Sequence, residues 1–107
     1  MLDNDINDGK GFKMKIVVKI DSEDSNYVER KFFEHVAGRD TVAFLMKDKD
    51  IQWETLQHYI NIVEERFTEL EFTKDEMSKK YVPKDFEGAS YNYSFDFKNE
   101  SIIYEVA

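Results

Sequence analysis

The first residues that could bind a metal are the acidic stretch DNDINDGKG at residues 3–11, which has the composition of a calcium-binding loop. An EF-hand loop needs oxygen ligands at its positions 1, 3 and 5, glycine at position 6 and an acidic ligand at position 12. If Gly9 is that glycine, Ile6 falls on a ligand position and Lys15 on the twelfth. An alignment that begins at Asp3 also fails, because an aspartate then replaces the glycine. The stretch is therefore not a calcium loop.

The two histidines, His35 and His58, are the other candidate metal ligands. A dinuclear carboxylate centre in a helical bundle uses Glu-x-x-His, and neither histidine has a glutamate three residues before it. Glu54 and His58 share a helix face, and antiparallel helix pairing would bring Asp40 near them. We interpret these groups as a hydrogen-bonded surface cluster. The sequence predicts no metal site and no cofactor.

Motifs for covalent or acid–base catalysis are also missing from the sequence. It contains no G-x-S-x-G elbow and no G-x-x-x-x-G-K-S/T phosphate loop. The neighbouring carboxylates Glu64-Glu65 and Asp75-Glu76 diverge on a helix, whereas the two groups of an acid–base pair converge. The chain has no cysteine, which excludes disulfides, thiolate nucleophiles and zinc–thiolate sites. We predict that the protein is not an enzyme.

Composition limits the class of partner. The chain has 107 residues, of which 41% are hydrophobic and 15% aromatic, and its formal net charge is −8. This charge disfavours direct nucleic-acid binding, because phosphates are repelled, and it favours a basic protein partner or serves only to keep the protein in solution. No apolar run approaches the ~20 residues of a membrane span, and no signal peptide opens the chain. We expect a soluble, cytoplasmic protein that does not bind membranes.

Alternation and helical spacing predict the first two elements. Residues 14–20 alternate apolar side chains with lysines or valine and predict a strand. Residues 26–37 predict a helix after an acidic capping segment. One stripe of this helix is formed by Val28, Phe32 and Val36. Thr41–Met46 either continues the helix past Gly38 or forms a short strand, and we favour the helix because alanine, leucine and methionine are good helix formers.

A long second helix is predicted over residues 51–82. Its apolar seam repeats every three or four residues and consists of Trp53, Leu56, Ile60, Val63, Phe67, Leu70, Met77 and Tyr81. Only Lys74 breaks the register of the seam. Pro83 ends the helix, because the residue before a proline avoids the α region. At ~1.5 Å per residue the helix is roughly 48 Å long.

Two strands complete the predicted fold. Residues 90–97 alternate aromatic and polar side chains, residues 98–101 form a turn, and residues 102–106 form the facing strand. The order β-α-α-β-β gives an α+β fold class, in which a helical hairpin with one long helix packs on a three-stranded antiparallel sheet. We predict a flexible leader at residues 1–13 and a single domain at residues 14–107.

The predicted lengths of helix and strand do not match. A seven-residue strand covers about 23 Å, so part of the hairpin should overhang the sheet and expose apolar seam residues. A second copy of the chain or another partner would cover them; alternatively, the first helix covers them internally. The candidate interaction residues are Trp53, Tyr59, Val63, Phe67 and Leu70.

The ending KKYVPKDFEGASYNYSFDFKNESIIYEV, residues 79–106, resembles small accessory proteins of bacterial systems that modify Cys-x-x-x repeat peptides. Those proteins end in a helix with Lys-Tyr, here Lys80 and Tyr81, followed by a loop and a strand containing Asp-Phe, here Asp96 and Phe97. The resemblance implies an adaptor role. It covers only this third of the chain and carries over no functional residue.

We predict a non-catalytic protein-interaction module that self-associates, as a homodimer, through the long helix. One alternative is an accessory or adaptor subunit of a ribosomal-peptide-modifying system, as the resemblance implies. Another is a small acidic inhibitor, of mobile-element type, that occupies a basic nucleic-acid groove on a target protein. Salt separates the two alternatives, because an adaptor should bind a peptide with little salt dependence and an acidic mimic should bind with a steep one.

Overall fold

The computed structural model describes residues 14–106 of the chain. Its elements are β1 (Met14–Lys19), α1 (Ser22–Leu45), α2 (Trp53–Tyr81), a 3-10 turn (Lys84–Phe86), β2 (Asn92–Asp96) and β3 (Ser101–Val106). This order confirms the predicted β-α-α-β-β arrangement and the α+β fold class. The predicted leader, residues 1–13, lies outside the described residues.

The three strands form one antiparallel sheet in the order β1-β3-β2, so β3 is the central strand. Alternate residues of a strand share a face of the sheet, and on one face they are apolar. The aligned pairs on that face are Ile16–Tyr104, Val18–Ile102, Tyr93–Tyr104 and Phe95–Ile102. Ile102 and Tyr104 are fully buried. The β2–β3 turn covers residues 97–100 rather than 98–101, because Ser101 already pairs with both outer strands.

Helix α1 is longer than the spacing predicts at its start. Ser22 begins the helix and the Ser25 amide donates to the Asp21 carbonyl at 2.9 Å, so the acidic segment forms the first turn itself instead of only capping it. The helix continues past Gly38 to Leu45, which confirms the helical interpretation of most of residues 41–46. Gly38 is buried, and a Cβ placed there would lie 3.2 Å from Val63 Cγ2. Glycine is therefore favoured here because α1 and α2 approach each other closely.

The described chain divides into two units, one made of residues 14–25 and 78–106 and the other of residues 26–77. The first contains the whole sheet and most of the buried apolar side chains, namely Ile20, Phe86, Ile102 and Tyr104. The second contains only helix, turn and helix, and its buried apolar side chains are Val28 and Leu70. The interpretation of residues 14–107 as one domain stays a prediction. Within residues 14–106 no helix has a stretch that is both long enough and apolar enough to cross a membrane.

Candidate functional site

The helical hairpin of residues 26–77 has a polar side. Lys31 Nζ lies 3.5 Å from a Glu69 carboxylate oxygen, and Arg66 Nη1 donates to the Glu34 carbonyl at 3.1 Å. These contacts join the antiparallel helices α1 and α2. They lie on one side of the interhelical seam, the line along which the two helices meet. We call this side, formed by Lys31, Glu34, Arg66 and Glu69, the polar flank.

The other side of the same seam is apolar. Successive residues of a helix point about 100° apart, so Phe32 and Phe67, which follow Lys31 and Arg66, lie across the seam from the polar flank. Spacings of four and seven residues extend each of these positions along its helix. We call the resulting surface the apolar flank. It consists of Phe32, Val36 and Ala43 on α1 and Trp53, Ile60 and Phe67 on α2.

The apolar flank is open to solvent. Trp53 is 65% exposed, Phe67 49% and Phe32 39%. Val36 and Ile60 are half-buried, and Ala43 is exposed. Isolated exposed apolar residues are common on monomers, but several on one surface indicate a contact site.

His35 lies in the seam beside this flank. Its ring centroid is 5.3 Å from that of Phe67, which places the two rings in contact. His35 Nδ1 is buried and has no hydrogen-bond partner among the described residues. The hairpin therefore contains an unsatisfied polar atom next to its exposed aromatic surface, a feature that lowers the stability of the hairpin taken alone.

The outer faces of the two helices differ from both flanks. On α1, Phe33 and Phe44 lie eleven residues apart, close to three full turns, and both are exposed. On α2, a shallow depression is lined by Asn61, Glu64, Glu65, Thr68 and Glu69. Phe72, 67% exposed, follows on the same helix. All five lining residues come from α2, and one of them, Glu69, pairs with Lys31 of α1.

The other cluster of titratable groups is in the sheet-containing unit. Asp24 accepts hydrogen bonds from Lys80 Nζ at 2.8 Å and from the Tyr81 hydroxyl, and these bonds hold the pKa of Asp24 below its usual value. Tyr81 Oη also accepts the Asp21 amide at 3.1 Å. The cluster fastens the beginning of α1 to the end of α2. These hydrogen bonds give the cluster a structural role.

Metal binding gains no support from the described residues. Among residues 14–106, no three histidine, aspartate or glutamate side chains are placed to hold a metal ion. Asp40, Glu54 and His58 are therefore not brought together as a ligand set. The acidic stretch at residues 3–11 lies outside the described residues.

The five residues predicted for interaction fall into different environments. Trp53 and Phe67 belong to the apolar flank, and Tyr59 is partly exposed on the same helix. Val63 is half-buried against Gly38, and Leu70 is only 5% exposed. The side chain of Leu70 therefore offers almost no surface to a partner.

Sequence reasoning missed the contribution of α1 to this surface. The predicted core stripe of Val28, Phe32 and Val36 is only partly buried, since Val28 is inaccessible and Phe32 is substantially exposed. Steps of four residues advance about 40° beyond a full turn, so this stripe winds from the seam onto the apolar flank. Lys31, one residue before Phe32, contacts Glu69 of α2. A lysine next to the predicted stripe was the sequence signal that Phe32 points away from α2.

Comparison with known proteins does not identify the chain: no family model, no curated protein and no solved structure matches it.

Proposed function

We propose that this chain is a non-catalytic protein-interaction module and that its contact surface is the apolar flank. The observation that carries the proposal is the imbalance within residues 26–77, where only two apolar side chains are buried while Trp53, Phe67 and Phe32 share one exposed surface. Aromatic side chains contribute most of the binding energy at many protein interfaces. A protein that covers the flank would remove these rings from water.

The polar groups support binding more than chemistry. The Asp24 cluster joins two helix ends, and the carboxylates of the α2 depression come from a single helix. The one hydroxyl of the Asp24 cluster, that of Tyr81, donates to Asp24 and also accepts the Asp21 amide, so its hydrogen bonds stay within the cluster. The absence of cysteine is compatible with a reducing compartment, and we propose the cytoplasm as its location.

Site-specific photo-crosslinking tests the proposal with a matched control. The photoreactive analogue p-benzoylphenylalanine replaces Phe67 on the apolar flank or Phe72 on the outer face of α2, in cells that naturally express the chain. Both positions are exposed phenylalanines of the same helix. We expect a covalent protein adduct from residue 67 and none from residue 72. No adduct from residue 67, with the variant folded, would refute the proposal.

The charge of α2 favours a second candidate function, that of an acidic inhibitor occupying a basic groove on its target. Between residues 53 and 77 seven acidic residues stand against two basic ones. The acidic residues are Glu54, Glu64, Glu65, Glu69, Glu71, Asp75 and Glu76, and the basic ones are Arg66 and Lys74. This function predicts an adduct from residue 72 to a basic protein, and binding that weakens steeply as salt rises. The adaptor role implied by the resemblance stays a prediction.

A further inference from the structure

We infer that the occupant of the apolar flank is a second copy of the chain, and that the two hairpins pack flank to flank around a two-fold axis as a four-helix bundle. This inference rests on the proposed function, because it names the partner of the same surface. The contact is isologous, so that each copy presents the same residues to the other.

The spacing of the flank fits a bundle. On α2, Trp53, Ile60 and Phe67 are separated by seven residues each, and on α1 Val36 and Ala43 are also seven apart. A seven-residue repeat is typical of helices that pack nearly parallel or antiparallel over several turns in a left-handed bundle. The hairpin already uses a first seam between its own two helices. The flank is a second seam on both helices, as each helix of a four-helix bundle requires.

The small core of the hairpin requires more helices. Two antiparallel helices cover only one stripe of each other, and the buried apolar side chains of residues 26–77 are Val28 and Leu70. Bundles of this length normally enclose several apolar layers. One further copy of the same hairpin supplies two helices, which closes a bundle without any other component.

The charge of the flank favours a copy of the chain over a basic partner. Along α1 the residues 32, 36, 39 and 43 include one charged side chain, Arg39, and the same steps of three and four residues along α2, from Trp53 to Phe67, include one, Glu64. The flank therefore carries one charge of each sign, which two copies can pair with each other, whereas a basic partner would also meet Arg39. The other acidic residues of the α2 depression lie outside the flank, so two copies can meet at their flanks while these carboxylates stay in water.

The exposed rings supply part of the area that a dimer interface needs. If each aromatic side chain buries about 200 Å², the exposed fractions of Trp53, Phe67 and Phe32 leave roughly 300 Å² of ring surface per copy. The rings of two copies thus supply more than a third of the roughly 1,600 Å² of a standard interface.

Light scattering on a sizing column tests this inference with purified protein. We expect the native chain to show twice its 12.8 kDa mass at micromolar concentration. Trp53→Glu should weaken the dimer at least about 30-fold, the loss typical of a hot-spot residue. Phe72→Glu is the matched control, because it makes the same kind of change on the same helix at nearly equal exposure, and it should leave the dimer unchanged.

A second measurement covers the case in which Trp53→Glu fails to fold. The native chain has no cysteine, so a bis-maleimide linker about 10 Å long can join only introduced thiols. Ile60→Cys should give cross-linked dimers at low protein concentration, and Glu65→Cys on the outer face should not.

Several results would overturn the inference. These are a native monomer at 200 µM, equal weakening by Trp53→Glu and Phe72→Glu, or equal cross-linking from the two cysteines. If the purified chain is monomeric while residue 67 cross-links to a different protein in cells, the second-copy inference fails and the proposed function stands. If residue 67 cross-links to nothing, both fail.

Discussion

Replacing Gly38 by alanine sets helix propensity against steric overlap at the closest approach of α1 and α2. Alanine stabilises a helix interior by about 0.8–1 kcal/mol relative to glycine. The added methyl would lie 3.2 Å from Val63 Cγ2 and 3.6 Å from Arg66 Nη1, the atom that donates to the Glu34 carbonyl. Overpacking of this kind costs about 1–3 kcal/mol. We therefore expect Gly38→Ala to lower the free energy of unfolding by about 1 kcal/mol, against its helix propensity.

The Val63→Ala background reverses the expected sign. Removing the valine methyls removes the closest contact, so Gly38→Ala should then raise the free energy of unfolding by about 1 kcal/mol relative to the Val63→Ala parent. The coupling between the two positions is the difference, about 2 kcal/mol, within the range for residues in direct contact.

Urea unfolding followed by circular dichroism at 222 nm measures all four proteins of this cycle. The protein concentration must be the same throughout, because assembly shifts apparent stability. If Gly38→Ala stabilises the native background by its full helix propensity, the helices do not approach each other at residue 38. The register that sets Phe67 beside His35 and defines the apolar flank would then be wrong.

Three further predictions concern single polar groups. His35→Leu should raise the free energy of unfolding by about 1 kcal/mol in urea titrations, because it removes a buried nitrogen without a partner; His58→Leu, at an exposed position, should change it by less than about 0.5 kcal/mol. Asp24→Asn should reduce the loss in the free energy of unfolding that occurs as the pH falls into the acid range. Hydrogen bonds from Lys80 and Tyr81 lower the folded pKa of Asp24, so its contribution is present above the usual carboxyl value of 3.8 and is lost as the pH falls through the folded value; an unchanged loss would contradict the cluster. Tyr104→Phe should cost about 1–2 kcal/mol in thermal unfolding, since the buried hydroxyl donates to the Ser78 carbonyl at 2.6 Å, and a neutral result would mean that this bond contributes nothing.

The sequence predicts the elements well because each has its own strong local signal. Alternation marks β1 and β2, and Pro83 ends α2 within a residue of its observed end at Tyr81. The start of α1 is less predictable, since the acidic residues that favour a cap also favour a first turn. Helix α1 continues through Gly38 although glycine is a poor helix former, and at this residue it packs closely against Val63 of α2.

The candidate site is harder to predict than the fold, for a geometric reason. A repeat of three and four residues fixes a stripe about the helix axis, but core and flank positions differ by only 40–60° about that axis. Leu70 and Phe67 belong to the same repeat, yet one is buried and the other half exposed. The facing helix decides between them, and its Lys31 contacts Glu69, the residue just before Leu70. The spacing of apolar residues in one sequence does not show which of the two side chains is buried.

The two flanks of the hairpin explain why assembly should stop at two copies. The polar flank carries the Lys31–Glu69 pair and the Arg66 contact with the Glu34 carbonyl, so a third hairpin would meet charged groups there that are costly to bury. The apolar flank is fully covered once two copies meet, because an isologous contact uses the same surface on both copies. The outer face of α2, with its unbalanced carboxylates and Phe72, stays exposed in such a dimer. A target with two basic sites would therefore meet two equivalent acidic faces related by the two-fold axis, and it should bind the dimer more tightly than a Trp53→Glu monomer through avidity, although the variant adds one carboxylate.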